Sequence, residues 1–278
     1  MNNKTNPYID AHCHLADPRF AGSLEDVLAR SREAGIGAWV QGGVDPEDWD
    51  RQLVIQKQYP GQIYTSFGLH PWWVARSSKS EFDQALKILA ARLKEADGLG
   101  ELGLDYGPRL EASLEARAWQ REAFERQLEL LEATPKPLVL HIVRAHEDSL
   151  SILQKHAQKY SKGASFERGG LVHSFSAPRE IAQKYLDLGF SLSISGGIAR
   201  KGFETLKRAV SYIPLDRLLV ETDSPDQPLA DQQLNEPTAL IEIARAIAGL
   251  RSKHGGESAE RILEQSARNI TRIFGGLK

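Results

Sequence analysis

Residues 8–15 read YIDAHCHL, an apolar strand pattern interrupted by an aspartate and two histidines at alternate positions. In an extended strand the side chains at i, i+2 and i+4 share a face. Plain alternation therefore predicts Asp10, His12 and His14 on one side, with Ile9, Ala11 and Cys13 on the other. Polar groups gathered on one buried face are costly unless partnered, and a metal ion is one such partner. His70, Glu101, His141, His173 and Asp223 interrupt later apolar runs toward their C-terminal ends. Imidazole nitrogens and carboxylate oxygens are ligands of first-row divalent ions. Five histidines and two carboxylates exceed what one four-coordinate ion uses, and two ions sharing a carboxylate account for most of them. Paired ions lower the pKa of water toward about 7 and neutralise charge on attacking and leaving oxygens. That chemistry suits phosphodiester hydrolysis, and it suits amide or lactone hydrolysis too, so these residues by themselves indicate a binuclear metal hydrolase and leave its substrate open.

These side chains need a scaffold that brings distant strand ends together. Eight β-rich runs recur, starting near residues 8, 38, 64, 98, 137, 170, 190 and 217, with amphipathic helical stretches between them. The first such stretch has Ser23 as a candidate cap, Leu24, Val27 and Leu28 as an apolar stripe, and Gly35 to close it. In another, Phe124, Leu128 and Leu131 share a face. The last has Ile262, Leu263, Ile270 and Phe274 facing inward. Strand spacing near that of a βαβ unit, repeated eight times, predicts an α/β protein forming a single TIM (β/α)8 barrel over residues 1–278. A doubly wound open sheet is the structural alternative. In a barrel the C-terminal strand ends share one mouth, so the candidate ligands would meet there.

Composition narrows the reading. Hydrophobic residues make up 41% of 278 residues, enough for a full core, and the formal net charge of −2 gives no global field that would draw the chain to nucleic acid or membrane. An anionic substrate must be held locally. Cys13 is the only cysteine, which rules out an intramolecular disulfide or a multi-cysteine zinc knuckle; it is expected to pack. With no membrane-length apolar run and no secretory signal pattern, a soluble cytoplasmic protein is expected, with no obligate partner and monomer as a compatible state. GLGELG satisfies G-x-G-x-x-G, but inside a strand rather than at a strand-to-helix turn, so the dinucleotide context is missing. A serine nucleophile elbow and a C-x-x-C pair are both absent. His146, His156 and His254 fall in helical or loop stretches and are predicted to be solvated.

With DAHCHL, GLHP, GELGLD, a strand-end His141, VHSFS, SISGGI, ETDSP and NEP in one order, the chain resembles the TatD family of metal-dependent deoxyribonucleases from about residue 8 to 274. The resemblance implies a barrel of the amidohydrolase group that cleaves phosphodiester bonds in DNA, with exonuclease action as one mode, by attack of a metal-activated water. Hydrolysis of a small lactone, ester or amide is the alternative, and a non-catalytic metal-bound adaptor is a third reading. By position, the resemblance implies that His12 and His14 hold one divalent ion and that Glu101 bridges to a second, held by His141 and His173. Asp223 would complete the first site and orient or deprotonate the water. The residues do not select among Zn, Mg, Mn, Co and Ni. Glu221 and Asp10 would stand behind the ligands, and Asp105 would do the same or anchor a loop. Two departures stand out. Family members often carry arginine two residues after the strand-5 histidine, whereas here Val143 occupies that place and Arg144 follows, on the opposite strand face. Ala177 stands in HSFSAP where the family commonly has glycine. His70 is a candidate phosphate contact, Trp72 and Trp73 are candidate stacking platforms for unpaired bases, and Arg144, Arg109, Arg200 and Lys201 are candidate phosphate contacts.

Overall fold

Aliphatic runs become strands wherever both of their faces are covered, and that condition is met throughout this chain. A computed structural model describes residues 7–110, 113–159, 166, 169–229, 233–252 and 255–276. The strands are β1 Tyr8–Cys13, β2 Ile36–Gln41, β3 Ile63–Tyr64, β4 Ser66–Phe67, β5 Gly98–Asp105, β6 Leu138–Val143, β7 Gly170–Val172, β8 Phe190–Ile194 and β9 Leu218–Val220. β3 and β4 are two parts of one passage broken at Thr65, whose carbonyl accepts from the N–H groups of Asp97 and Gly98. Neighbours pair in parallel and in chain order, β1 to β3 and β4 to β9. The ring closes at its C-terminal rim, where Asp223 N–H donates to His12 O at 3.0 Å and His14 N–H to Ser224 O at 2.7 Å. Eight passages thus form the expected (β/α)8 barrel.

Helices α1 Leu24–Glu33, α2 Pro46–Gln58, α3 Pro71–Arg76, α4 Lys79–Arg92, α5 Leu114–Leu128, α6 His146–Lys159, α7 Arg179–Asp187, α8 Glu204–Val210, α9 Leu240–Arg251 and α10 Ala259–Phe274 complete the chain. Several starts follow ordinary capping chemistry: Asp45 accepts from Asp48 N–H before α2, and Ser78 and Glu81 form a capping box at α4. Ser23 does not act as the expected cap, because its hydroxyl donates to Phe20 O instead of capping α1. Val27 and Leu28 are buried there, as are Phe124, Leu128 and Leu131 further on. The larger apolar core lies between strands and helices and includes Trp39, Phe67, Phe124 and Phe190. A second cluster joins Val139, Leu171 and Leu219 to Ile270 and Phe274 of α10. Those three strand residues lie two positions before His141, His173 and Glu221, on the same strand faces, so this cluster is the layer beneath the mouth. His146 and His156 are not solvated as expected: His146 contacts Tyr185 Oη at 3.2 Å and His156 is buried against Phe166. Helix faces hid these contacts, since both rings point inward from α6. His254 lies outside the described residues.

Simple alternation fails at the bulges of β1 and β5, which carry candidate ligands. In β1, Asp10 pairs with Trp39 and Cys13 with Gln41, so three steps on one strand match two on the other. Ile9 and Ala11 consequently join the inner cluster, while Asp10 accepts from the Thr222 N–H at 3.0 Å and hydroxyl at 2.5 Å. Asp10 therefore does not share a face with His12 and His14. Cys13 does face outward, in the outer core. In β5, Gly100 pairs with Val139 and Leu102 with Leu140, which makes Glu101 the extra residue. A Cβ on Gly100 would sit 2.4 Å from Val139 O, and its φ is +150°. Close strand approach, rather than nucleotide binding, explains the glycines of GLGELG.

Candidate metal centre

Glu101 sits where these constraints converge. The β5 bulge turns its carboxylate into the barrel, where it is almost fully buried, and each of its oxygens faces a different group of imidazoles. Oε2 lies 3.2 Å from His12 Nε2 and 3.5 Å from His14 Nε2, and those two nitrogens are 3.3 Å apart. Asp223 Oδ1 is 3.7 Å from His12 Nε2 and 3.3 Å from His14 Nε2. Four donor atoms around a tetrahedral ion with bonds of about 2.0–2.1 Å lie about 3.3 Å apart. The five distances in the first set run from 3.2 to 3.7 Å, close to that spacing.

Oε1 of Glu101 faces the second set: 2.6 Å from His141 Nδ1, 2.9 Å from His173 Nε2 and 3.2 Å from His70 Nε2. These atoms are closer than tetrahedral edges, so an ion entering here would spread them. Asp105 Oδ2, 3.2 Å from His141 Nε2, fixes that ring with its proton on Nε2 and a lone pair on Nδ1. His70 is different. It is the N-cap of α3, and its Nδ1 accepts from Trp72 N–H at 3.0 Å. The ring's proton is then on Nε2, which makes His70 a hydrogen-bond donor into the site rather than a ligand.

One buried polar atom tests whether a cation fits. Glu101 Oε2 has no hydrogen-bond partner among the described residues, with His12 Nε2 and His14 Nε2 at 3.2 and 3.5 Å. A buried carboxylate oxygen without a donor, beside two nitrogens, is costly in the bare protein and is satisfied by a cation. The donor set of imidazole and carboxylate matches a divalent transition ion.

The charges agree. Burial would raise the Glu101 pKa, but the imidazoles of His173, His70 and His12 outweigh it and hold the carboxyl well below its usual range. Asp223 is likewise depressed, with burial opposed by the His14 hydrogen bond and the charges of His173 and His14. His14 is raised from 6.5 to about 9, because the Asp223 hydrogen bond and the Glu101 charge overcome burial. His70 is pushed down to about 4 by burial and stays neutral. A raised histidine contributes stability below its unfolded value of 6.5 and loses it as pH rises through 9. Ion binding requires the neutral ring and runs the other way. Stripped protein is expected to melt at progressively lower temperature from pH 6.5 to 9, while the gain in Tm from added Mn2+ grows over that window. Melting curves with and without ion check this, and a flat profile for stripped protein would contradict it.

Around the ligands lies a cleft of about 620 Å3 at the C-terminal mouth, lined by His14, His70, Glu101, His141, His173 and Asp223. Trp72 lines it too, donating its indole N–H to Asp105 Oδ2 at 2.5 Å, with Arg109 stacked at 5.0 Å over its ring. Arg200 reaches the same rim. Trp73 does not reach it: one helical residue turns the side chain by about 100°, and Trp73 packs on the outer core. Arg144 also stays away, exposed after β6 with φ +53°, while Val143 faces the cleft. Lys201 is exposed and lies outside the residues lining the cleft. Behind the ligands, Glu221 accepts from Ser174 N–H at 2.7 Å and from the Ser193 hydroxyl, and lies 3.5 Å from His173 Nδ1. Sequence reasoning overlooked Gln227, whose amide donates at 2.7 Å to both Asp223 Oδ2 and Ser174 Oγ. Its place four residues after Asp223, in the loop that continues ETDSP, was the only signal for it.

Comparison with known proteins follows this geometry. The family described as "TatD related DNase" matches residues 9–275. The "Uncharacterized metal-dependent hydrolase YcfH" of Escherichia coli is 31% identical, covering 96% of this chain and 95% of its own. The "3'-5' ssDNA/RNA exonuclease TatD" of Pantoea vagans is 29% identical, covering 95% and 99%. The crystal structure of the TatD homologue YjjV from Escherichia coli superposes with a TM-score of 0.81 at 28% identity, covering 96% of this chain and 97% of that one.

Proposed function

The chain belongs to the TatD related DNase family, and on that premise we propose that it is a metal-dependent phosphodiesterase that hydrolyses single-stranded DNA at a centre of two divalent ions. The observation that carries this reading is the placement of Glu101, one oxygen toward His12, His14 and Asp223 and the other toward His141 and His173. Those residues would hold the two ions, with Glu101 between them. When bound, the ions supply an activated water and neutralise charge gathering on the phosphoryl oxygens.

The chain's own groups do the rest. Gln227 occupies Asp223 Oδ2, which leaves Oδ1, on the side of His12 and His14, to take a proton from the water. The depressed pKa keeps Asp223 ionised at neutral pH, so it carries no proton of its own. His70 donates from Nε2 to a phosphoryl oxygen. Arg109 and Arg200 offer cationic contacts to flanking phosphates, and Trp72 a face for a base. Arginines on the rim favour an anionic strand over a neutral lactone or ester. Ion-loaded protein is expected to release nucleotides from end-labelled single-stranded DNA and leave carboxyl esters and lactones intact. Ester or lactone turnover with DNA untouched would overturn the assignment.

Trp72→Ala is expected to weaken binding of a single-stranded oligonucleotide by about fivefold or more, base stacking being worth roughly 1–3 kcal/mol. Trp72→Phe keeps a stacking face but removes the N–H that holds Asp105, and should bind closer to wild type. Fluorescence anisotropy in Ca2+ measures both, with Trp73→Ala as the silent control. Unchanged affinity in Trp72→Ala would remove the tryptophan from the binding surface.

A further inference from the structure

Three loops at the mouth of the barrel meet in one hydrogen-bonded group. Ser174 of VHSFS follows β7, Ser195 of SISGGI follows β8, and Gln227 lies two residues past ETDSP on the loop after β9. Gln227 Nε2 donates to Asp223 Oδ2 and to Ser174 Oγ, both at 2.7 Å, and its Oε1 accepts from Ser195 Oγ at 2.8 Å. The two serine hydroxyls are 2.9 Å apart, which closes a ring of three side chains. Ser195 is buried, while Ser174 and Gln227 are half-buried at the edge of the cleft.

The proton positions in this ring follow from its anchored end. An ionised carboxylate can only accept, so the nitrogen of the Gln227 amide faces Asp223. Its oxygen then faces Ser195, whose proton is engaged there. Ser174 must therefore donate to Ser195 Oγ, and its own oxygen takes the second amide proton. Every donor is used once, and reversing the amide would press its oxygen against the Asp223 carboxylate. The arrangement is held against local preference. Ser195 precedes the short turn Gly196–Ala199, yet its hydroxyl makes no cap there. Ser174, Asp223 and Gln227 have φ of +46°, +57° and +54°, and they are three of the four non-glycine residues with positive φ among the described residues.

We propose that the Ser174–Ser195–Gln227 ring is a lock that aims the Asp223 carboxylate, and that Ser195, outside the residues lining the cleft, is a positioning residue acting through Gln227. The inference rests on the nuclease reading above and deepens it by naming what fixes the proton acceptor. A lone glutamine is free to turn about its side-chain bonds, and the two serines remove that freedom. With Oδ2 held, Asp223 presents Oδ1 on the side of His12 and His14. Glu221 ties the ring to the barrel by accepting from Ser174 N–H at 2.7 Å. Without the Ser195 hydroxyl, Gln227 Oε1 loses its donor, the amide turns, and Asp223 turns with it. Because every donor of the ring is engaged, it has none to offer a phosphate, so opening it should act on kcat and leave KM alone.

Two readouts test the lock. The first is NMR of isotope-labelled protein without ion or DNA, in which the Gln227 side-chain amide is identified by its loss in Gln227→Ala. Both of its protons are expected to exchange with water about tenfold or more slower than those of exposed glutamines, and Ser195→Ala should bring them to the exposed rate. The second is turnover of single-stranded DNA with saturating Mn2+. Ser195→Ala is expected to lower kcat about fivefold with KM unchanged, and adding it to Gln227→Ala should lower kcat no further, since both act on Asp223 by one route. Unprotected amide protons in wild type would overturn the lock. So would wild-type kcat in Ser195→Ala, or losses that multiply in the double variant. No nucleotide release by wild type with any ion would instead bring down the nuclease reading, and the positioning role with it, whatever the amide shows.

Discussion

Replacing Glu101 by glutamine is expected to reduce nucleotide release by about a thousandfold or more while the protein still folds. The size of the effect follows from position. Glu101 is the side chain that faces both ligand sets, so its loss weakens two sites together, whereas loss of His14 alone would remove a donor from one. Glutamine keeps the shape and one acceptor oxygen but removes the charge that the surrounding imidazoles stabilise. It also introduces an amide N–H whose protons would point at nitrogens that need to present lone pairs. Melting of the stripped variant checks folding, and turnover with saturating Mn2+ checks function. Wild-type turnover in Glu101→Gln would mean that the two sets do not act as one centre.

Asp223→Asn is expected to cost a comparable factor for a different reason. In the proposed centre the carboxylate would be both a donor to the first set and the proton acceptor, and its Oδ2 is already committed to Gln227. Asparagine tolerates the left-handed backbone found at this residue, φ +57°, so the fold should survive the exchange. The loss should fall on kcat with KM nearly unchanged, because the group acts on the water rather than on the strand. Gln227→Ala should lose a smaller factor, about tenfold, through freedom of the Asp223 carboxylate. A rise in KM with kcat preserved in Asp223→Asn would assign this residue to substrate binding instead. Ser174, Asp223 and Gln227 all have positive φ and lie in one hydrogen-bonded group, which is where a chain holds costly backbone for the sake of side-chain placement.

The barrel and the gathering of the candidate ligands at its mouth were legible because both rest on local pattern. Alternating strands and helices mark the architecture, and a histidine at the end of a buried apolar run needs a partner wherever the run lies. Asp10 was misplaced because a bulge depends on the neighbouring strand: nothing in YIDAHCHL states that Asp10 to Cys13 must match Trp39 to Gln41 in one step fewer. Glu101 escaped the same error because its assignment rested on the motif order rather than on counting faces. Trp73 and Arg144 fell away from the cleft through single-residue rotations, one in a helix turn and one in a left-handed loop, which residue type does not reveal. Arg19 donates to Asp226, 207 positions away, a contact with no local signature in the chain. His70 was placed correctly at the site, but its role as a fixed Nε2 donor emerges only from its capping bond to Trp72.

The most direct test of the two-ion centre is an activity titration. Stripped protein at known concentration is mixed with increasing Mn2+ under tight-binding conditions, and nucleotide release from single-stranded DNA is read at each step. Activity that rises to a plateau at two ions per chain is the expected result. A plateau at one ion, or release that persists in the stripped protein, would contradict a centre in which Glu101 joins two divalent ions.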